Sequence, residues 1–146
     1  MIFKSSFLIS TFFLSFSRRI SVSVMGDLTS PFKNTTDSSD YRGIHSIAYV
    51  TTPSEEVAKT LAHGLVTEKL AACVNVVPKI TSIYFWEGKV NEDNEAMMII
   101  KTRTSKIKEL TEYVKKNHPY TVCEVISTKI EDGNEAYLKW ISENVP

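Results

Sequence analysis

Seven consecutive residues, His118 to Glu124 (HPYTVCE), bring four chemically active side chains close together in the sequence. They are an imidazole, a phenol, a thiol and a carboxylate, and imidazole, thiolate and carboxylate groups are common metal ligands in proteins. The segment follows a helix-like run, and Pro119 prevents that helix from continuing past His118. Two interpretations are open: His118, Cys123 and Glu124 form a candidate metal site, or His118-Pro119 only ends a helix.

The same residues make a weak case for catalysis. No nucleophile in the sequence has an evident base beside it. Glu124 is the one nearby carboxylate that is a candidate to orient the ring of His118, and its reach is not fixed by the sequence. We therefore predict that the protein binds a ligand or a partner and is not an enzyme.

Composition and charge indicate one globular domain preceded by a tail. Of 146 residues, 42% are hydrophobic and 23% are charged, which is ordinary for a protein that buries a core without metal or disulfide support. From residue 47 onward there are 12 basic and 14 acidic residues with no basic block, so a nucleic-acid partner is disfavoured. The two cysteines, Cys73 and Cys123, are too few for a disulfide framework, and we expect both to be free.

Residues 1–43 differ from the rest and are predicted to be a targeting segment and a mobile linker. An apolar run over residues 7–16 is too short to span a bilayer, and no acidic residue precedes Asp27. A signal in residues 1–24 predicts a protein of the secretory pathway or one associated with a membrane. The Ser-rich, acid-free composition also suits a mitochondrial transit peptide, and translation from Met25 would give a cytoplasmic protein.

The domain predicted for residues 44–146 begins with a strand and a helix. Residues 44–51 are rich in side chains that favour β-structure. Thr52 and Glu55 have the spacing of a capping box, in which Thr52 is the N-cap of the following helix. An apolar stripe at helical spacing then predicts that this helix runs to about residue 70.

Two long strands follow, predicted from about residue 72 to 90 and from 95 to 104, with the turn at Asn91–Asn94. The first strand exceeds the usual length, and Pro78 predicts a bulge because proline has no N–H to donate. The stretch Ile83-Tyr84-Phe85-Trp86 places large apolar side chains on both faces of the strand. Contact with another subunit explains that pattern, and burial in an ordinary core is the alternative.

The remaining elements complete a split βαβ arrangement. A second helix is predicted from about Ser105 to Asn117, and a fourth strand from Val122 to Ile130. The last helix has Asn134 as its N-cap and a buried side made of Tyr137, Leu138 and Ile141. The order β-α-β-β-α-β plus a C-terminal helix predicts an α+β, ferredoxin-like fold with a long hairpin between its second and third strands.

This fold serves several functions, so the site residues must discriminate among them. RNA recognition on such a sheet uses an aromatic and basic pattern on the central strands, which the sequence lacks. Acyl phosphate hydrolysis needs a Gly-rich, Arg-bearing phosphate loop after the first strand, whereas Thr51-Thr52-Pro53-Ser54 stands there. A soft-metal chaperone carries Cys-x-x-Cys at that place, and the chain has no such motif.

Five segments of the sequence resemble the CutA family, the divalent-cation tolerance proteins. They are Lys69–Asn75 (KLAACVN), Thr81–Lys89 (TSIYFWEGK), Met98–Thr102 (MIIKT), His118-Pro119-Tyr120 with Glu124, and Tyr137-Leu138-x-Trp140. They occur in order and at family-like spacing. The resemblance implies a homotrimer of ferredoxin-like subunits, in which the long hairpin reaches a neighbouring subunit and extends its sheet.

The resemblance also implies two functions. Bacterial members bind Cu(II), and animal members are linked to membrane anchoring or maturation of acetylcholinesterase. Two copper ligands of bacterial members correspond to Val50 and Asn117 here, so His118 and Glu124 are retained and Cys123 is a candidate replacement. We predict that the protein is a trimer that binds divalent copper and contributes to metal-ion tolerance. The alternative is a non-enzymatic scaffold for acetylcholinesterase or another membrane-associated protein.

A cleft between subunits is the predicted place of the site. One imidazole and one carboxylate per chain are too few for Cu(II), which usually takes three or four donors, so a neighbouring subunit would have to supply the others. The same cleft suits a small anion, with Lys89 and Lys101 as its partners. The predicted interface and cleft residues are Tyr84, Trp86, Lys89, Lys101, Tyr120 and Trp140.

Overall fold

A computed structural model of the protein describes residues 41–146, which build one antiparallel sheet with three α-helices packed on it. The strand order in the sheet is β2-β3-β1-β4. This confirms the predicted α+β, ferredoxin-like arrangement with a C-terminal helix. The elements are β1 (His45–Thr52), α1 (Glu55–Thr67), β2 (Cys73–Trp86), β3 (Lys89–Arg103), α2 (Ile107–Asn117), β4 (Ile126–Lys129) and α3 (Glu135–Asn144).

The predicted targeting segment and most of the predicted linker lie outside the described residues. Tyr41–Gly43 are the part of the linker that the structure describes. The N–H of Gly43 donates to the carbonyl of Ile130 at 3.2 Å, and the ring of Tyr41 stacks on His45 with 5.8 Å between centroids. The packed domain therefore begins a few residues before residue 44.

The core lies between one face of the sheet and the helices α1 and α2. Alternate residues of the central strands point into it, because successive side chains of a strand face opposite sides. Burial of each large apolar side chain contributes about 1.5–3 kcal/mol to the free energy of unfolding. The fully buried members include Ala48 and Val50 of β1, Met98 and Ile100 of β3, Leu65 of α1, and Leu110 and Val114 of α2.

Helix α1 begins two residues later than the capping box predicts. Ser54 is the N-cap, and its hydroxyl accepts from the N–H of Val57 at 3.3 Å. The predicted N-cap, Thr52, is buried and donates its hydroxyl to the carbonyls of Ser54 and Ala96. Glu55 pairs with Lys59 at 2.8 Å. The prediction was wrong because Thr52 still belongs to β1, where its side chain points into the core.

The turn of the long hairpin was also predicted at the wrong place. It lies at Glu87-Gly88, where both residues have positive φ (50° and 82°). A two-residue hairpin turn of this kind requires positive φ at both central positions, and glycine adopts it without strain. The predicted turn, Asn91–Asn94, is part of β3 and pairs with β2. Its polar residues are accommodated because this stretch of the strand is largely exposed.

The predicted bulge near Pro78 is confirmed. The register of β2 against β3 shifts between Val77 and Ile80, and Lys79 within that gap has a φ of 58°. Beyond the bulge, the hairpin from Ile80 to the Glu87-Gly88 turn is a largely exposed ribbon of two strands. Its tip therefore presents two faces.

The C-terminal third differs from the prediction in two details. Strand β4 covers Ile126–Lys129 and pairs with β1 only up to Tyr49, so the residues from Val122 to Val125 form a loop. Asn134 is the N-cap of α3, as predicted, and accepts from the N–H of Ala136 at 3.1 Å. Tyr137 is 39% exposed and not part of the buried side, since Leu138 and Ile141 supply the contact with the sheet.

Candidate functional site

His118 fixes the start of the loop that joins α2 to β4. Helix α2 ends at Asn117, and His118 follows in an extended conformation, as the proline after it requires. The ring is 8% exposed. Its Nε2 lies 2.9 Å from the carbonyl of Thr51, and its Nδ1 accepts from the N–H of Tyr120 at 3.0 Å. Because a carbonyl only accepts and an amide N–H only donates, the proton resides on Nε2.

Both ring nitrogens of His118 are therefore hydrogen-bonded within the chain. A metal ion at either nitrogen would have to displace Thr51 or the amide of Tyr120. The ring also packs edge-on against the phenol of Tyr120, with 5.1 Å between centroids. In this structure His118 acts as a tie between β1 and the loop, and it orients Tyr120.

That loop forms one wall of a pocket of about 660 Å³, and the hairpin forms another. The volume lies within the range of about 300–1,000 Å³ that is typical of small-molecule sites. The carbonyl end of β1 closes the pocket between the two walls, since Thr51 lines it. The lining residues are Thr51, Ser82, Tyr84, Trp86, Glu95, Pro119, Tyr120, Thr121, Val122, Cys123 and Glu124.

The hairpin contributes one of its two faces to the pocket. Ser82, Tyr84 and Trp86 alternate along β2 and so point to the same side. Glu95 and Asp93 of β3 stand opposite Ile80 and Ser82, which puts them on that side as well. The hydroxyl of Tyr84 donates to the carboxylate of Asp93 at 2.5 Å, and this hydrogen bond raises the pKa of Tyr84 to about 12.

Glu95 is the most buried carboxylate of the pocket, with 8% of its surface exposed. No cation is paired with it among residues 41–146, since the salt bridges found there involve other carboxylates. Burial raises the pKa of the Tyr120 phenol, and the negative charge of Glu95 raises it further. Glu124 adds a second carboxylate to the lining, which includes no Lys, Arg or His side chain. The pocket is therefore negatively charged.

The structure brings together five of the residues predicted as site or cleft residues, namely Tyr84, Trp86, Tyr120, Cys123 and Glu124. His118 stands behind the lining. The three remaining residues lie elsewhere. Lys89 pairs with Trp86 beside the hairpin turn, Lys101 donates to the amide oxygen of Asn75 and to the carbonyl of Ile99, and Trp140 stacks on Tyr137.

Three lining residues were not identified from the sequence: Thr51, Ser82 and Glu95. For Glu95 a signal exists, because it stands directly before the apolar run that starts at Ala96 and therefore in the same strand. The wrong position predicted for the turn gave a wrong strand register, so Glu95 was not assigned to the pocket face. With the turn at Glu87-Gly88, simple counting along the two strands places Glu95 on the same face as Tyr84 and Trp86.

Donors for a metal ion are few within one chain. The described residues contain no group of three or more His, Cys, Asp or Glu side chains arranged to hold one ion. Cys73 and Cys123 are both free thiols, as predicted, and of these only Cys123 lines the pocket. No helix in the described part of the chain is long and apolar enough to cross a membrane.

Comparison with known proteins identifies the family. Residues 46–144 match the sequence model of the family described as CutA1 divalent ion tolerance protein. The chain belongs to the CutA1 family. The predicted resemblance is thus confirmed, and the described domain coincides with the part of the chain that carries the CutA1 match.

Relatives and solved structures of CutA1 proteins agree with this assignment. The protein CutA homolog of Xenopus laevis is 62% identical over 104 residues, which cover 71% of this chain and 69% of the relative. Protein CutA of Mus musculus is 52% identical over 101 residues, which cover 69% of this chain and 57% of the relative. The crystal structure of CutA1 from Oryza sativa has a TM-score of 0.70 at 49% identity, and the match covers 73% of this chain and 97% of that one.

Proposed function

We infer that this CutA1-family protein binds a divalent cation, with Cu(II) as the ion to test, in the pocket between the hairpin and the loop after α2. The supporting observation is Glu95, a nearly buried carboxylate that has no cation partner among the described residues. Burying an isolated charge is costly, so a cation that enters the pocket gains a strong electrostatic partner. The proposed role is binding in metal-ion tolerance, without catalysis.

The proposed donors in each chain are Glu95, Glu124 and Cys123. Carboxylate and thiolate groups are competent ligands for first-row divalent ions, for which Cu(II) is the strongest binder in the usual affinity order. His118 was predicted as a ligand too, and that prediction stays open, but its two hydrogen bonds favour a positioning role. Further donors are proposed to come from a neighbouring subunit.

A homotrimer is part of this proposal. Opposite to the pocket face, the hairpin carries Ile83, Phe85 and Val90, which are 68%, 71% and 69% exposed. Phe85 and Val90 are directly paired across the two strands, so they form one apolar surface. Large exposed apolar patches mark contact surfaces, and packing between subunits would bury this one. The trimer also provides the second chain that a complete metal site needs.

Native mass spectrometry of the full chain with Cu(II) tests the proposal. We expect three chains and one copper per chain, and we expect Glu95→Gln combined with Glu124→Gln to abolish the uptake while the trimer persists. The control is Glu131→Gln, which removes an exposed carboxylate outside the pocket. All samples also carry His63→Ala, because His63 is exposed on α1 and an exposed imidazole can bind copper adventitiously. Uptake that is equal in the double variant and in the control would overturn the metal proposal.

The alternative function, a scaffold for acetylcholinesterase or another membrane-associated protein, stays a prediction. It is favoured if the trimer forms and takes up no copper. The predicted targeting, whether to the secretory pathway, to mitochondria or by a start at Met25 to the cytoplasm, also stays a prediction. Fluorescent fusion of the full chain and of a chain starting at Met25 would separate these destinations.

A further inference from the structure

The wall of the pocket is built mainly from aromatic rings and carboxylates. Tyr84, Trp86 and Tyr120 supply three aromatic side chains, and Glu95 and Glu124 supply two carboxylates. Aromatic rings do not serve as ligands for hard or borderline divalent ions, which take oxygen, nitrogen or sulfur donors. Metal binding therefore does not account for three ring faces in one pocket, and their number needs another explanation.

Two of the rings are held in place by the surrounding structure. The hydroxyl of Tyr84 is bonded to Asp93 at 2.5 Å, and Tyr120 is fixed by its amide hydrogen bond to His118 and by contact with that ring. A site whose walls are fixed before binding loses less conformational entropy when the ligand enters. Trp86, which is 52% exposed, lies next but one to Tyr84 on the same face of β2.

Size and charge limit the class of ligand. A volume of about 660 Å³ is far larger than a single metal ion requires, and it suits a small organic molecule. An anion is disfavoured because the lining that one chain supplies includes no basic side chain and because Glu95 is nearly buried. A neutral molecule would supply no charge opposite to that of Glu95, whose contact with the Tyr120 phenol offers only a hydrogen bond. The remaining class is an organic cation.

We propose that the pocket binds an organic ammonium ion of the trimethylammonium type, with Tyr84, Trp86 and Tyr120 around the alkylated nitrogen and Glu95 as the counter-charge. Cation–π attraction to several rings is the physical basis by which proteins recognise quaternary ammonium groups. A trimethylammonium group retains its charge at every pH and offers no N–H, so it matches rings better than a metal ion does. This inference goes beyond metal binding and does not depend on it.

Isothermal titration of the full chain with choline and with its uncharged isostere, 3,3-dimethylbutan-1-ol, tests the proposal. We expect choline to bind and the isostere, which has the same shape without the charge, to bind at least tenfold more weakly. Trp86→Leu and Tyr120→Leu should each weaken choline binding by about twofold to thirtyfold, the loss expected for one cation–π contact. Glu95→Gln should also weaken it.

Two controls keep the result apart from folding effects and from the metal proposal. Tyr137→Leu removes a partly exposed aromatic ring outside the pocket and should leave the affinity for choline unchanged. Copper uptake by the Trp86→Leu variant is measured in parallel by native mass spectrometry, so that a loss of choline binding alone is attributed to the ring. Circular dichroism of each variant checks that the sheet is retained.

Two outcomes would overturn the ammonium proposal. One is the absence of choline binding by the wild-type chain at millimolar concentration. The other is equal binding of choline and the neutral isostere, or equal binding by Trp86→Leu and Tyr137→Leu. Either result is compatible with copper uptake, so failure of this inference and failure of the proposed metal function are distinguishable.

Discussion

The imidazole of His118 joins the end of β1 to the loop that lines the pocket. It donates to the carbonyl of Thr51 and accepts from the amide of Tyr120, while its own surface is 8% exposed. A residue type that is common in metal sites is here hydrogen-bonded at both ring nitrogens and connects two elements. Its influence on binding is therefore exerted through the position of Tyr120.

Replacement of His118 by alanine should lower the free energy of unfolding by about 1–3 kcal/mol, because a partly buried carbonyl and a partly buried amide lose their partners. It should also weaken choline binding, although His118 does not line the pocket. Urea denaturation measures the first effect and calorimetric titration the second. The matched control is His63→Ala, on the exposed surface of α1, which should change stability by less than about 0.5 kcal/mol. Equal stability of the two variants would contradict the role of His118 as a tie between β1 and the loop.

His45 predicts a dependence of stability on pH. Its ring is fully buried, Nε2 lies 2.8 Å from the hydroxyl of Ser142 in α3, and Nδ1 has no hydrogen-bond partner among residues 41–146. Burial lowers the pKa of His45 below 6.5, and the positive charge of Arg103 lowers it further. The fold therefore favours the neutral ring. The contribution of His45 to stability is complete above pH 6.5 and is lost as the pH falls toward the lowered pKa.

Urea denaturation at pH 7.5 and pH 5.5 checks this sign. The wild-type chain should lose more stability between the two values than His45→Gln, which has no titrating ring at that position. The other titratable groups are the same in both proteins, so their effects on stability cancel in the comparison. A pH dependence that is the same in both proteins would contradict the proposed contribution of His45.

At the scale of elements, the position of the hairpin turn depends on a backbone conformation that glycine adopts without strain. Gly88 has a φ of 82°, and a Cβ at this position would meet no atom within 4 Å. Gly88→Ala should therefore cost only the strain of a left-handed alanine, about 1–2 kcal/mol. Gly133→Ala is the control, since Gly133 has no positive φ and its added Cβ would make an ordinary contact with Leu138 at 3.6 Å. Thermal denaturation compares the two, and similar losses would contradict the turn geometry.

The packing of α1 against α2 gives a second prediction at this scale. Gly64 lies under the ring of Tyr113, and a Cβ there would stand 1.9 Å from the hydroxyl oxygen and 2.9 Å from the ring carbon that carries it. Gly64→Ala should lower the free energy of unfolding by about 1–3 kcal/mol, the range for overpacking. Addition of Tyr113→Leu should recover part of that loss. Chemical denaturation of the single and double variants measures the coupling, and additive losses would contradict it.

The sequence predicts the order of elements well because helix and strand periodicities are local signals. It fails where two local signals compete. Asn91–Asn94 is a stronger turn cluster by composition than Glu87-Gly88, yet the exposed hairpin tolerates polar strand residues and Gly88 adopts the required φ. The candidate site was found in part, because chemistry-bearing side chains are visible in the sequence. Glu95 was missed because its place depends on strand register, which the wrong turn displaced.

At the scale of the whole molecule, the hairpin is the element whose large apolar side chains stay exposed in a single chain. Ile83, Phe85 and Val90 form an exposed apolar surface on the face opposite to the pocket. Phe85→Glu should dissociate the proposed trimer, because a carboxylate would then be buried in an apolar contact. Light scattering after size-exclusion chromatography measures the mass. Val66→Glu is the control, since Val66 is 45% exposed on α1, away from the hairpin. A trimer that survives Phe85→Glu would place the contact elsewhere.

The two faces of the hairpin have one further consequence. Tyr84 and Trp86 point to the pocket, and the neighbouring residues Ile83 and Phe85 point to the proposed subunit contact. Binding on one face and association on the other restrain the same two strands, so we expect each event to favour the other, and reciprocity makes the factor the same in both directions. The apparent dissociation constant for a pocket ligand should therefore fall as the protein concentration rises, so that dilution of the protein by itself would release the ligand.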